Sequence, residues 1–441
     1  MKVIADLHIH SPYSRATSPR ITLPNLELWA RIKGIGLLGT GDCTHPLWLE
    51  ELKCQLDEEG EGLYTIKKKD RGVGSAMPAA VAETPRFVLT GEIATIYKRG
   101  GKTRKVHHLV MLPDFSAAMA FNARLEGINN NGCFCGNIRG DGRPILGIDS
   151  RDLLAMLLET DERAILIPGH IWTPWFSVLG EKSGFDSIEE CYGDLTSNIP
   201  AIETGLSSNP PMNWAIEGLD GFSIISNSDA HSPDKLGREA TIFEIENSWS
   251  SLRQALFSRS PLSPNAILGT VEFFPQEGKY HYDGHRKCGV CLAPDAARAV
   301  NFLCPVCGKP LTRGVMSRVL ELADRPVNET EHFSRDCETL AANRRPYYSL
   351  IPLREICAEL LGSGPSSKKV MAAWHRLIEK GGSEFSILLD MCREDLERLE
   401  APGLSGDTIA EAIMKTRAGE VSVQAGYDGE YGKVGLEYVR S

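Results

Sequence analysis

Three strand-like segments near the start of the chain run directly into residues that bind metals. Asp6-Leu7-His8-Ile9-His10 follows the first, Gly41-Asp42-Cys43-Thr44-His45 the second and Gly91-Glu92 the third. Further along come His107-His108, Gly169-His170 and Asp229-Ala230-His231. Side chains of an extended segment alternate between two sides, so His8 and His10 share one side, as do Asp229 and His231. Each pair can clasp one ion. Imidazole mixed with carboxylate suits zinc, manganese or iron, and such a site with an open position activates water. A lone histidine at a strand end is most often structural. Here seven of eleven histidines fall at or beside these strands, and that clustering favours metal.

A second set of ligand types lies at Cys288-x-x-Cys291 and Cys304-x-x-Cys307, two knuckles separated by twelve residues. Four thiolates at this spacing suit one tetrahedral structural zinc, against a bland reading of four buried thiols. Cys133 and Cys135 sit in a Gly/Asn-rich loop and read more simply as loop thiols. Cys43, Cys54, Cys191, Cys337, Cys357 and Cys392 have no partner spacing.

Residues 395–417 read as helix, turn and helix, with Gly403-Leu404-Ser405-Gly406 in the turn. This resembles a helix-hairpin-helix motif, whose turn offers backbone N–H groups to a DNA phosphate in the manner of a helix N-terminus. Lys415 and Arg417 on the second helix stand near enough to add contacts, and an ordinary αα-hairpin is the plainer alternative. Arg344, Arg345, Lys368, Lys369, Arg376 and Lys380 add local positive charge, which a solvated face explains nearly as well.

The elements that must position these groups follow from apolar pattern. Strands are expected at 2–6, 35–40, 86–90, 106–112, 164–168, 201–203 and 222–226, with helices at 25–33, 115–125, 150–159 and 250–257. Repeated strand–helix units make this an α/β region over 1–260, a closed barrel or else a doubly wound sheet, with chemistry at the strand ends. Residues 261–284 read as a connector, 285–315 as the cysteine module and 316–441 as a helical region.

The 441 residues exceed what one hydrophobic core usually serves, so several domains are expected. Hydrophobic content of 42% and charged content of 24% are ordinary for a soluble protein. No apolar run is long enough to span a bilayer and no leader pattern opens the chain, so a cytoplasmic protein with no membrane partner is expected. A net charge of −10 argues only mildly against nucleic acid, because a carboxylate-rich site biases the total. No Gly-rich nucleotide loop and no G-x-S-x-G nucleophile is present.

DLHIHS, GDCTH, TGE, VHHL, PGH and SNSDAH, in this order, resemble the motif series of the PHP (polymerase and histidinol phosphatase) superfamily. The resemblance implies a distorted (β/α)7 barrel with a cluster of three metal ions (zinc, manganese, iron or magnesium). It implies that His8, His10, Glu92 and Asp229 hold one ion, with Glu92 bridging to a second completed by His108 and His170. Asp42 or His45, together with His231, would hold the third; where the superfamily has an adjacent Asp-His, the two here stand three positions apart. His108 is favoured over His107 because the apolar run 109–112 follows it as in other members. Phosphoester hydrolysis by metal-activated water is the implied reaction, with Glu92, Asp229 and His231 beside it.

Longer stretches at 141–149, 168–187, 202–214, 226–240 and 425–433 resemble the endonuclease Q family, and the likeness runs nearly end to end. It implies nicking of DNA 5′ to deaminated bases (hypoxanthine, uracil, xanthine) or abasic sites. Trp172, Trp175 and Phe176 follow His170 directly and could stack on an extruded base or simply wall the site. Arg143, Lys235 and Arg238 are candidate phosphate contacts. A small-molecule phosphatase of histidinol-phosphate type, which would not need residues beyond about 260, is the main alternative. A 3′–5′ exonuclease and a non-catalytic DNA-binding module are the others.

Overall fold

In the computed structural model, residues 1–71, 84–128, 138–260, 262–327 and 344–436 are described. Cys133, Cys135 and Cys337 lie outside them. The first strands in chain order are β1 (Lys2–Asp6), β2 (Leu37–Gly39), β3 (Leu56–Glu58), β4 (Tyr64–Ile66), β5 (Arg86–Arg99) and β6 (Lys102–Leu112). They are followed by β7 (Ile145–Leu146), β8 (Ile165–Pro168), β9 (Ala201–Glu203), β10 (Ser223–Ile225), β11 (Ala240–Glu244) and β12 (Ala266–Glu272).

The fold is mixed α/β around one central sheet. β1 pairs parallel with β2, which pairs parallel with β5. β5 and β6 form a long antiparallel hairpin, and β6 continues antiparallel to β8. On the other side of β1 come β11 and then β12, both antiparallel. β9 and β10 make a separate parallel pair. Thr204 N donates to Ile225 O and Ile171 N to Glu203 O, so the pair's ends are tied to the loop that follows β8. Val3, Ala5 and Leu7 share one buried cluster with Leu37, Val88, Leu109, Met111, Ile165, Ile167, Ala201, Ile225 and Phe243. One apolar interior thus receives side chains from β1, β2, β5, β6, β8, β9, β10 and β11.

Helices cover the outside, and their starts are written in the sequence. Thr22 caps the helix Leu23–Lys33 by accepting from Asn25 N, Asp149 caps Ser150–Thr160, and Ser248 caps Trp249–Phe257. The 86–90 strand expected from sequence runs on to Arg99, because Gly100 and Gly101, both at positive φ, turn it back as a two-residue hairpin.

Part of the expected connector belongs to the sheet instead. Residues 266–272 form β12, which pairs with β11 and with β13 at Tyr347–Ser349. Proline at both ends of that stretch hid a β-branched core. Two short antiparallel strands, Asp283–His285 and Val290–Leu292, open the cysteine module. The C-terminal region is helical, with helices at Val315–Leu322, Leu353–Leu360, Lys368–Gly381 and Gly406–Ala418. Between the last two of these helices stand a π-turn at Ser386–Asp390 and a short helix at Arg393–Glu397. The region docks on the first helix through stacked Trp29 and Trp374 and a buried Lys33–Glu384 ion pair of 2.9 Å. No helix among the described residues is long and apolar enough to cross a membrane.

Candidate metal centre and cleft

The loops leaving the strands converge on one mouth. Asp42, His170 and Asp229 there adopt positive φ (44°, 29° and 49°), a conformation costing about 1–3 kcal/mol each for such residues. Strain of this kind is retained where side chains must be aimed.

The structure brings His8, His10, Glu92 and Asp229 together, with one ligand atom from each within 4.8 Å of the others. His10 Nε2 lies 2.7 Å from Asp229 Oδ1 and 3.6 Å from Glu92 Oε2. His8 Nε2 is buried without a hydrogen-bond partner and faces Glu92 at 3.7 Å and Asp229 at 4.0 Å. An orphaned imidazole nitrogen among carboxylates fits a metal ligand. Behind it, His8 Nδ1 is held at 3.0 Å by Glu203, and His10 Nδ1 at 3.2 Å by Asp42. Carboxylates in that outer position fix ring orientation and raise ligand basicity.

Glu92, His107 and His170 form a second group that shares Glu92. His107 Nδ1 is 2.5 Å and His170 Nε2 3.2 Å from Glu92 Oε1. His107 stands where His108 was expected. In the β5–β6 register Glu92 opposes Leu109 and Ala94 opposes His107, so Glu92 and His107 share a face. His108 opposes Ile93 and points away, its Nδ1 to the Tyr192 hydroxyl (2.9 Å) and its Nε2 to Thr95 (3.1 Å) and Ser150 (3.2 Å). The Gly100-Gly101 turn carries this signal in the sequence, since it fixes which of two adjacent histidines shares parity with Glu92.

The third expected group is not gathered. Asp42 accepts from Ser11 N and from the Ser11 and Ser14 hydroxyls, which commits it to orienting His10. His45 stacks on Tyr13, with Nε2 3.3 Å from Arg139 O. His231 packs on His10 with ring centroids 4.4 Å apart, and its Nδ1 is 2.8 Å from Asp229 O. Asp42, His45 and His231 thus stand around the first group, with no three-ligand cluster of their own among the described residues. Glu203, which the motif series did not single out, is the added functional residue; it also accepts from His170 N and Asn227 Nδ2 at 2.8 Å.

Charge follows the geometry. Burial disfavours the His10 imidazolium, yet Asp42 and Asp229 outweigh it and raise the pKa to about 10. His8 is likewise raised well above its ordinary value against burial, by Glu203 and Glu92. Burial pushes His107 down to about 4 and His108 to about 3. Burial would raise Glu92, but His107, His170 and His8 hold it well below the usual carboxylate range. A site whose carboxylates stabilise imidazolium charge can hold a metal cation in the same place.

Beside His107, His170 and Asp229 opens a cleft of about 390 Å³ walled by Trp175, Phe176, Phe273, Tyr280 and Tyr431. Trp175 is 40% exposed and meets Tyr280 edge-on at 5.3 Å. Trp172 is not part of it: at 1% exposure, with Nε1 donating to Asn213 at 2.8 Å, it is a core residue. Arg143 donates to Glu92 at 3.1 Å and also lines the cleft, so it is tied to the metal group first. Arg238 lies over Phe273 at 4.3 Å in the cleft wall, whereas Lys235 sits 3.9 Å from Glu355.

The cysteine module gathers His285, Cys288, Cys304 and Cys307, with His285 Nδ1 3.6 Å from Cys307 Sγ. Cys291 is not in the group; its thiol faces Ala425 O at 3.9 Å. Cys291 pairs with Gly284 across the two strands, one residue out of phase with His285 and Val290. The two knuckles are thus His285-x-x-Cys288-Gly289 and Cys304-x-x-Cys307-Gly308, each followed by a glycine at positive φ (63° and 70°). Gly289, the counterpart of Gly308, is the sequence signal for this pairing. The donor set suits one tetrahedral zinc.

In the C-terminal hairpin Ser405 caps the second helix by accepting from Thr408 N at 3.3 Å, and Gly403 takes φ 81°. A side chain at Gly406 would collide with Glu397 O, so the two helices cross at that glycine. Leu404 is buried. Arg417 is no phosphate contact, since its guanidinium donates to the carbonyls of Ile387, Leu388 and Met391. Lys415 pairs with Glu411 at 2.9 Å.

The chain has relatives on every scale. A family described as the MJ0043 C-terminal domain matches residues 352–420. The uncharacterized protein MJ0043 of Methanocaldococcus jannaschii is 31% identical over 291 residues, which cover 64% of this chain and 33% of that protein. The chain thus spans about a third of that relative's length. The uncharacterized protein YqxK of Bacillus subtilis is 27% identical over 446 residues, 98% of this chain and 99% of YqxK. Among solved structures, the lesion-specific endonuclease PfuEndoQ of Pyrococcus furiosus superposes with a TM-score of 0.80 at 31% identity, over 99% of this chain and 96% of that one. Endonuclease Q in complex with a 27-mer duplex carrying an abasic lesion at the active site gives 0.79 at 31%, over 99% and 97%.

Proposed function

This chain belongs to the endonuclease Q family, and we propose that it is a metal-dependent endodeoxyribonuclease cutting DNA 5′ to a damaged nucleotide. The target is an abasic site or a deaminated base such as hypoxanthine, uracil or xanthine. The observation that carries this is the coincidence of the two ligand groups sharing Glu92 with an aromatic-walled cleft at their edge.

The strands leading to the site, with β9 and β10 completing them around one apolar interior, support a distorted PHP-type barrel. His8, His10, Glu92 and Asp229 would hold one ion, and Glu92, His107 and His170 another. Metal at such a site supplies Lewis-acid stabilisation of a phosphodiester and generates its nucleophile at neutral pH. The remaining work belongs to the chain. Glu203 and Asp42 keep His8 and His10 in one orientation, and Arg143 holds Glu92 from the cleft side. Arg238 lines the cleft with its guanidinium over Phe273 and 3.9 Å from Glu277, a cation suited to a phosphate. Trp175 and Phe176 offer faces to an extruded nucleotide. A zinc at His285, Cys288, Cys304 and Cys307 would hold the module together, and the 395–417 hairpin would offer its turn amides to a more distant phosphate.

The test is a labelled duplex bearing hypoxanthine, uracil, xanthine or an abasic site, incubated with enzyme and manganese or magnesium. One nick 5′ to the lesion is expected, and cutting of undamaged duplex at the same rate would remove the specificity claim.

A further inference from the structure

The stretch 425–433 supplies none of the grouped ligands, yet its backbone is anchored on the 276–279 segment and on the cysteine module. Tyr427 and Glu430 exchange backbone hydrogen bonds of 3.0 and 2.8 Å, with Asp428 and Gly429 at positive φ between them. This is a tight hairpin tip. Gly426 N donates to Gln276 O, Gly429 N to Lys279 O and Gly432 N to Glu277 O, at 2.8, 2.9 and 3.0 Å. Asp428 accepts from Arg286 N at 2.7 Å and from the Thr312 hydroxyl at 2.6 Å, which ties the tip to the cysteine module. A side chain at Gly432 would collide with Gln276 O, so the backbone seats directly on the 275–280 segment.

From this rigid mount Tyr431 projects 68% exposed at the rim of the cleft. The Lys279 ammonium lies 4.5 Å from its ring centroid. A large aromatic held out in solvent contributes little to folding, whereas a rigid aromatic at the edge of a cleft is what recognition uses. Taking a nucleotide out of a duplex leaves a gap between base pairs, and an aromatic or apolar side chain entering the stack offsets the lost stacking.

We propose that Tyr431 enters the DNA stack where the damaged nucleotide has left it, with Lys279 on a flanking phosphate. This rests on the lesion-nuclease reading. Trp175, which lines the cleft proper, would face the extruded nucleotide instead.

The experiment compares parent, Tyr431→Ala and Tyr431→Phe on one lesion placed in duplex DNA and in the same strand alone, with 2-aminopurine beside the lesion to report unstacking. Tyr431→Ala should lose about tenfold or more on duplex, the size of one aromatic–base stack, while cutting the single strand like the parent. Its 2-aminopurine signal in duplex should change relative to the parent, and Tyr431→Phe should behave as the parent throughout. The side chain is exposed, so melting temperature should not move. Equal losses on both DNA forms would overturn the stacking role and make Tyr431 a contact of the strand itself, and no loss on either would overturn any role. If the parent cuts neither form, the lesion-nuclease reading falls and this proposal with it.

Discussion

The chain gathers metal-ligand side chains in two places, and they are built oppositely. At the strand-end site every imidazole is backed or faced by carboxylate, every ligand but the partly exposed Asp229 is buried, and one glutamate serves two groups. In the cysteine module four ligands close on each other beside Val290, Ala297 and Leu311, and only Cys304 of the four is buried. A closed set of three thiolates and one imidazole would use up all four places of a tetrahedral ion, as a structural zinc site does. A bridged set with donors to spare and an adjacent cleft leaves coordination open for substrate and water. Burial depth, outer carboxylates and sharing therefore separate a reacting centre from a staple, although both read as ligand clusters in the sequence.

The strongest way to break that contrast is Glu92. Glu92→Ala removes a ligand from both groups and should lower nicking by at least the roughly 10²–10³-fold that losing one preorganised electrostatic partner costs. The zinc content of the module should stay at the parent level by metal analysis. If cutting survives, or if module zinc falls with it, the two sites are not separate in function.

Next comes the parity argument. His107→Ala should cost activity on the order of 10–100-fold or more, while His108→Ala should chiefly lower thermal stability by leaving Tyr192, Thr95 and Ser150 without their partner. The reverse pattern in steady-state cutting against melting temperature would refute the hairpin register. Glu203→Gln should weaken metal affinity by roughly 10–100-fold through His8, read as a shift in the manganese concentration needed for half-maximal rate.

In the module, His285→Ala should lose zinc as Cys304→Ser does, and Cys291→Ser should retain it. Zinc per chain, measured on the purified variants, decides the matter. A Cys291→Ser variant lacking zinc would return the fourth place to Cys291.

These cases show which parts of the molecule a sequence displays. His8-x-His10 and Asp229 were legible because period-two spacing and their order along the chain suffice. Most strands and capped helices were legible from apolar pattern and cap residues. His107 needed the register of a hairpin whose length was underestimated at Thr90, and Glu203 needed a partner 195 residues away. Trp172 and Trp175 share one short loop, yet one is core and the other lines the cleft, a distinction made by packing alone. Arg417 read as a phosphate contact because its charge is visible and the three carbonyls it satisfies are not.

A third buried cluster sharpens the comparison, since it has carboxylates without histidines. Glu239 accepts from Leu206 N at 3.0 Å and Phe273 N at 3.2 Å, fastening two segments that line the cleft. Glu272 accepts from the Ser226 hydroxyl. Burial pushes Glu272 up to about 7, and burial together with the Glu272 charge pushes Glu239 well above the usual range. The unfolded chain ionises both near 4.5, so the stability they contribute is complete below that pH and is lost as pH rises through about 7. Glu272→Gln removes one ionisable group and its repulsion on Glu239. Parent stability, read as the urea midpoint of the metal-loaded protein at pH 5, 6, 7 and 8, should decline more steeply than that of Glu272→Gln. The slopes should differ by up to about 1.4 kcal/mol per pH unit for one group. Parallel slopes would mean that these carboxylates keep their ordinary titration, and that histidines alone distinguish the metal site from its surroundings.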